Sequence, residues 1–216
     1  MTEPGGDGVK DGVWRHDNGT LTIACTISMP GVKASMWDWW FGWHSLSSVR
    51  YRLWHPEAHK RSRLAEDRRA LPVGRPRYVG NVSAVDEWIG PRMSRLAIGF
   101  VRPAKIGLDE ALVDAMGTAV CAEVSLRKQR ICNGQLVHLL QDGAEGCTMH
   151  SRFHLGDLQS LLPVVGPFVT VALNRPSTRR RLLDDALGLA LLRHCFEEMH
   201  HLAAILPGLH AEFGRE

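Results

Sequence analysis

From Arg179 to Leu206 the chain keeps an unbroken helical pattern, and one stripe of it mixes leucine with a histidine and a glutamate. Each residue of an α-helix advances about 100° around the axis. With His194 as origin, Leu183, Leu187, Leu191, Glu198, His201 and Ile205 all fall within about 60° of it. A carboxylate in such surroundings needs a partner if it is to stay ionised. A neighbouring histidine is one such partner. A metal ion is another, because side chains four residues apart can reach a single ion, as they do on HExxH helices. The helix alone leaves both readings open. Its other side, with Leu189, Leu192, Phe196, Met199 and Ala203, is apolar too. The helix is therefore expected to be covered twice, by the protein's own sheet and by either a further segment of chain or the second subunit of a homodimer. Pro207-Gly208 is expected to end it. Arg179, Arg180 and Arg181 then fall at its start, where the helix dipole disfavours cations, and read as a solvated cluster.

Composition narrows the function classes. A net charge of +3 with no long basic block, and no recognisable DNA-reading helix, argues against a nucleic-acid partner. No run approaches the roughly 18 apolar residues of a membrane span, and no apolar signal core follows Met1, so neither a membrane nor secretion is expected. The five cysteines, Cys25, Cys121, Cys132, Cys147 and Cys195, are odd in number and form no CxxC pair. They read as free thiols in a reducing cytoplasm. The eleven histidines cluster as His55 with His59, His150 with His154, and His194 with His200 and His201, which invites a metal reading.

In chain order, residues 1–18 read as a disordered tail and residues 19–216 as a single domain. Leu21 to Ile27 is the first strand. Met36 to Ser45, MWDWWFGWHS, has the spacing of a helix whose Met36, Trp39, Trp40 and Trp43 form one aromatic face, either core packing or a wall for a flat ligand. Tyr51, His55 and His59 follow as candidate site residues. Lys60 to Arg77 reads as a charged surface excursion or short exposed helix, and the strand pattern resumes at Tyr78. Val85, Glu87 and Ile89 alternate with period two, so Glu87 shares the face of its apolar neighbours. Ser94–Val101, Ala119–Arg127, Ile131–Gln141 and Gly146–Leu155 continue as an antiparallel meander, with His138 between Leu136 and Leu140 on an inward face. The economical packing is an α+β helix-grip (START-like) fold: a curved antiparallel sheet around a long C-terminal helix, with a ligand cavity between them.

The segments Met36–Trp43, RYRLWHPEAH at Arg50–His59, VDEWIG at Val85–Gly90, GCTMHSRFHLG at Gly146–Gly156, and His194 with Glu198 together resemble the 2,4-diacetylphloroglucinol hydrolase family, which includes phloretin hydrolases. The resemblance implies a helix-grip domain binding one Zn2+ through His59, Glu87, His194 and Glu198, with His55 the alternative to His59. It implies Tyr51 and His138 as catalytic partners of the substrate's phenolic hydroxyls, and it places Phe153 where the family carries a tyrosine. Trp39, Trp40 and Trp43 are then expected to stack against the ring. The implied reaction is zinc-dependent retro-Claisen hydrolysis of the bond between a phenolic ring and its acyl group. The alternative is a non-hydrolytic carrier or cyclase for aromatic polyketide-like ligands, which shares the cavity and needs no metal.

Overall fold

The computed structural model describes residues 10–215. Eight antiparallel strands form one sheet: β1 (Gly12–Arg15), β2 (Leu21–Pro30), β3 (His59–Leu64), β4 (Val82–Ile89), β5 (Arg92–Val101), β6 (Gly117–Leu126), β7 (Ile131–Asp142) and β8 (Gly146–Ser160). Their order across the sheet is β1-β2-β8-β7-β6-β5-β4-β3. Helices α1 (Ala34–His44) and α2 (Ser48–Trp54) lie between β2 and β3, and α3 (Arg75–Tyr78) precedes β4. Helix α4 (Glu110–Met116) precedes β6, while α5 (Gly166–Leu173) and α6 (Pro176–Leu182) lead into α7 (Asp185–Phe213).

Helix α7 touches β1 and β2 at one end of the strand order and β4 near the other. One helix can reach both ends only if the sheet curls around it, which is the expected helix-grip arrangement. Two glycines permit the close approach. A Cβ at Gly188 of α7 would stand 2.7 Å from Val13 Cγ1. Gly90 turns the β4–β5 hairpin at φ +57°, and a Cβ there would stand 3.0 Å from Ala190 Cβ.

The long helix starts later and ends later than its sequence pattern predicts. Asp184 is the N-cap, its carboxylate accepting from Leu187 N at 2.7 Å, and Leu183 breaks the chain from α6. Arg179, Arg180 and Arg181 therefore close α6, where the dipole favours cations, instead of opening α7. Pro207 does not end the helix but lies inside it. An interior proline costs about 3 kcal/mol. The last turns are held by α1: Phe213 stacks on Trp43 at 5.4 Å and His210 meets Trp39 edge-on at 5.2 Å. Such ring pairs contribute about 0.5–1.5 kcal/mol each beyond their burial.

Other boundaries differ for equally local reasons. The stretch expected to be a disordered tail contains β1, which pairs with Leu21–Ala24; residues 1–9 of that stretch lie outside the described residues. The charged excursion from Lys60 to Arg77 begins as the edge strand β3, whose bulge between His59 and Arg61 removes the period-two pattern and whose Lys and Arg suit an edge; from residue 65 it is a surface excursion that ends in the short helix α3. Tyr78 ends a helical turn, so the strand begins at Val82. His201 is exposed, and the buried stripe of α7 runs instead through Gly188, His194, Cys195, Glu198, Met199, Leu202 and Leu206. Of the opposite face, Met199 is buried and Leu189 is exposed.

Candidate metal centre

Three elements bring four ionisable side chains together. On the sheet, His59 of β3 lies directly across from Glu87 of β4, so their side chains share the inner face. On α7 the four-residue step aligns His194 and Glu198. All four are buried. One donor atom from each of His59, Glu87 and His194 lies within 4.8 Å of the others. Glu198 Oε2 joins them, 3.4 Å from His59 Nε2 and 3.7 Å from His194 Nε2. His55 stands outside the group. Its ring stacks on His194 at 5.2 Å and its Nε2 faces Glu197 at 3.5 Å.

The protonation pattern shows what this group accommodates. His59 Nδ1 donates to the Tyr51 carbonyl at 3.2 Å, so Nε2 carries the lone pair. That Nε2 is buried with no hydrogen-bond partner, yet it faces Glu198 Oε2 and Glu87 Oε2, the latter at 3.7 Å. A lone pair facing carboxylate oxygens is repulsive unless a metal cation, or a proton on Glu198, lies between them. Burial lowers His59 to about 4, so the ring itself is not that cation. Burial also lowers His194 and pushes Glu198 up to about 8, with His194 opposing the rise and Glu87 adding to it. Two neutral imidazoles and two carboxylates are a donor set that fits zinc, and iron or manganese would accept it as well.

Around this group lies a cavity of about 690 Å³ between the sheet and α7. Tyr51 lines it, stacked on His59 at 4.0 Å, with its hydroxyl donating to Glu87 Oε2. Burial first, then Glu87, raises the phenol well above its usual range, so Tyr51 keeps its proton. His138 and Phe153 also line the cavity, their rings edge-to-face at 5.8 Å. His138 and Ser151 are cross-strand neighbours, and His138 Nδ1 meets Ser151 Oγ at 2.5 Å. The Ser151 hydroxyl donates to Met149 Sδ, so the ring Nδ1–H donates to Ser151 and Nε2 keeps the lone pair. Burial lowers His138 to about 3.

The expected aromatic wall is a correction. Trp39, Trp40 and Trp43 are buried but do not line the cavity. Helix α1 carries aromatic rings around most of its circumference, with Ser35, Asp38 and Gly42 on the remaining side, and its faces do different work. Trp39 and Trp43 hold the end of α7, and Trp40 packs on His44 and Trp54. The rings of α1 that reach the cavity are Phe41 and His44, joined by Trp54 of α2. Sequence reasoning passed over His44. Its signal was its position three residues after Phe41 on the same helical face. Its Nδ1–H donates to the Trp40 carbonyl at 2.8 Å, and burial holds it neutral, at about 3.

The DAPG hydrolase PhiG domain model matches residues 1–211. The chain belongs to that family. It is 31% identical over 194 residues to a 2,4-diacetylphloroglucinol hydrolase from Pseudomonas protegens, covering 86% of this chain and 62% of that protein. It is 30% identical over 204 residues to a phloretin hydrolase from Eubacterium ramulus, covering 90% of this chain and 69% of that protein. The chain thus spans about two-thirds of the length of these relatives. Among solved structures, the ZhuI aromatase/cyclase from Streptomyces sp. R1128 shares the fold, with a TM-score of 0.50 at 10% identity over 87% of this chain and 93% of that one.

Proposed function

We propose that this protein is a zinc-dependent hydrolase that cleaves the bond between a phenolic, phloroglucinol-type ring and its acyl group. The observation that carries the proposal is the buried lone pair of His59 Nε2, set against two carboxylates with His194 beside them. The relatives' names supply the substrate class. A carrier or cyclase has no use for such a donor set.

His59, Glu87, His194 and Glu198 would hold the ion. A zinc ion held there would supply Lewis acidity for an acyl carbonyl and for water near neutral pH. The overall reaction adds one water: the acyl carbon takes the hydroxyl and leaves as a carboxylic acid, and the ring carbon takes the proton. An aryl carbanion is a poor leaving group, so the ring is protonated at the acyl-bearing carbon before the bond breaks. The chain's part is to favour that tautomer. His138 stays neutral at working pH, and its Nε2 lone pair accepts from a phenolic hydroxyl. Tyr51 keeps its proton, which it donates to Glu87 Oε2, and its phenol oxygen accepts from a substrate hydroxyl placed beside it. Phe153 offers an apolar edge where a tyrosine would offer a hydroxyl, which shifts the preferred substitution pattern of the ring. The described cysteines are all free, and four are buried, which supports the reducing cytoplasm as the working compartment.

Metal content by mass spectrometry, measured alongside hydrolysis of an acylphloroglucinol, tests the proposal. The expectation is about one zinc per wild-type chain, with both metal and activity lost in Glu198→Ala and in His194→Ala. Undiminished hydrolysis in the metal-free variants would overturn it.

A further inference from the structure

The segment joining β8 to α7 reverses the usual placement of side chains. In α5 the polar residues face the sheet: Thr170 Oγ1 accepts from Ser160 N at 3.0 Å, and the Asn174 side chain bridges Leu158 N and O at 3.0 and 2.6 Å. The apolar residues face water. Val164, Phe168 and Val171, at steps of four and three, are 88%, 80% and 67% exposed. Leu161, Leu162, Val165 and Leu182 are exposed as well. An exposed apolar surface of this kind marks an interaction site.

The surrounding charge indicates what it meets. No Asp or Glu occurs from Leu158 to Leu183, which holds four arginines. Leu161 N donates to the Arg130 carbonyl at 2.8 Å, which ties the segment to the β6–β7 turn with its exposed Lys128 and Arg130. Lys128, Arg175 and Arg181 are exposed and have no carboxylate partner among the described residues. An apolar surface with exposed Arg175 and Arg181 on the same connection and Lys128 and Arg130 on the adjoining turn complements an anionic lipid surface. A second copy would bring the same cations face to face. No helix of the described residues is long and apolar enough to cross a membrane, so the contact is peripheral.

We infer that the surface from Leu161 to Val171 docks on an anionic lipid bilayer, with Leu161, Val164, Phe168 and Val171 entering the headgroup boundary and the surrounding cations meeting lipid phosphates. Leu158, Leu182, Lys128 and Ile131 also line the cavity, so the cavity reaches the segment that carries the docked face and the turn beside it. The sequence reading, which looked only for a spanning segment, expects no membrane at all.

Sedimentation of the full chain with lipid vesicles tests the inference. The wild type is expected to sediment with vesicles containing phosphatidylglycerol at least ~10-fold more than with phosphatidylcholine alone, and less at high salt. The double variant Phe168→Asp with Val171→Asp is expected to stay in solution while keeping its circular dichroism and metal content. Arg175→Glu with Arg181→Glu is expected to lose the preference for anionic lipid. Absence of sedimentation with either vesicle, or sedimentation of the Phe168→Asp/Val171→Asp variant equal to wild type, would overturn it. So would light scattering that shows a dimer converted to monomer by that variant, which would assign the surface to a second copy.

Discussion

At one end of the cavity His59, Glu87, His194 and Glu198 are buried among leucine and tyrosine; on α5, Phe168 and Val171 face water while Thr170 and Asn174 face the sheet. Both regions place side chains where transfer energetics alone would not. They differ in how they are supported. The buried group is held from three elements and by the Tyr51 and His59 hydrogen bonds. The α5 surface rests on a few hydrogen bonds to the end of β8. The buried group is thus built to retain something inside the fold, and the surface to meet something outside it.

The largest expected effect is on the buried side. Zinc at a thousandfold excess over its dissociation constant is expected to stabilise the wild type by about 4 kcal/mol, with no gain in Glu198→Ala, both read by thermal unfolding. An equal gain in the variant would remove Glu198 from the set. Next, in metal-free protein near neutral pH Glu198→Leu is expected to raise stability by about 1–3 kcal/mol, because burial holds the Glu198 carboxyl at about 8 and that burdens the native state as pH rises above the ordinary glutamate value; urea unfolding of the chelated proteins measures this. A loss of stability would mean that Glu198 is satisfied without metal.

The third effect concerns His138. Its folded value of about 3 lies below the ordinary histidine value, so between roughly pH 6.5 and 3 the unfolded chain binds a proton that the native chain refuses. Stability from this residue is present above about pH 6.5 and is lost as pH falls, by up to about 1.4 kcal/mol per pH unit. His138→Phe is expected to flatten the acid limb of a stability–pH curve by that amount; an unchanged slope would place the proton elsewhere. The smallest effect belongs to the outer surface. Val171→Ser is expected to change stability by no more than about 0.5 kcal/mol. A loss of several kcal/mol would show that α5 is core and would weaken the contrast.

Much of the site was legible because its spacings are local. The i, i+4 step of His194 and Glu198, and the alternation of Val85, Glu87 and Ile89, each fix a shared face without knowledge of the fold. Asp184, an N-cap type ahead of an apolar run, carried a signal for the true start of α7. The partition of α1 was not legible. A helix with aromatic rings over most of its surface does not say which of them meet a cavity and which grip another helix. Nor was Pro207, whose local preference to stop a helix is outweighed by ring contacts between residues distant in the chain.

The sequence by itself determined the long helix with its His and Glu, the meander of strands, and the residue types of a candidate metal site, because periodicity and chemistry are properties of neighbours along the chain. Only the tertiary structure decided three further points. It set His59 across from Glu87 and both against α7, it turned Phe41 and His44 instead of the flanking tryptophans toward the cavity, and it left the apolar face of α5 uncovered by the other described residues. Each depends on which surfaces pack together once the sheet closes around the helix, and that packing is settled between residues far apart in the chain.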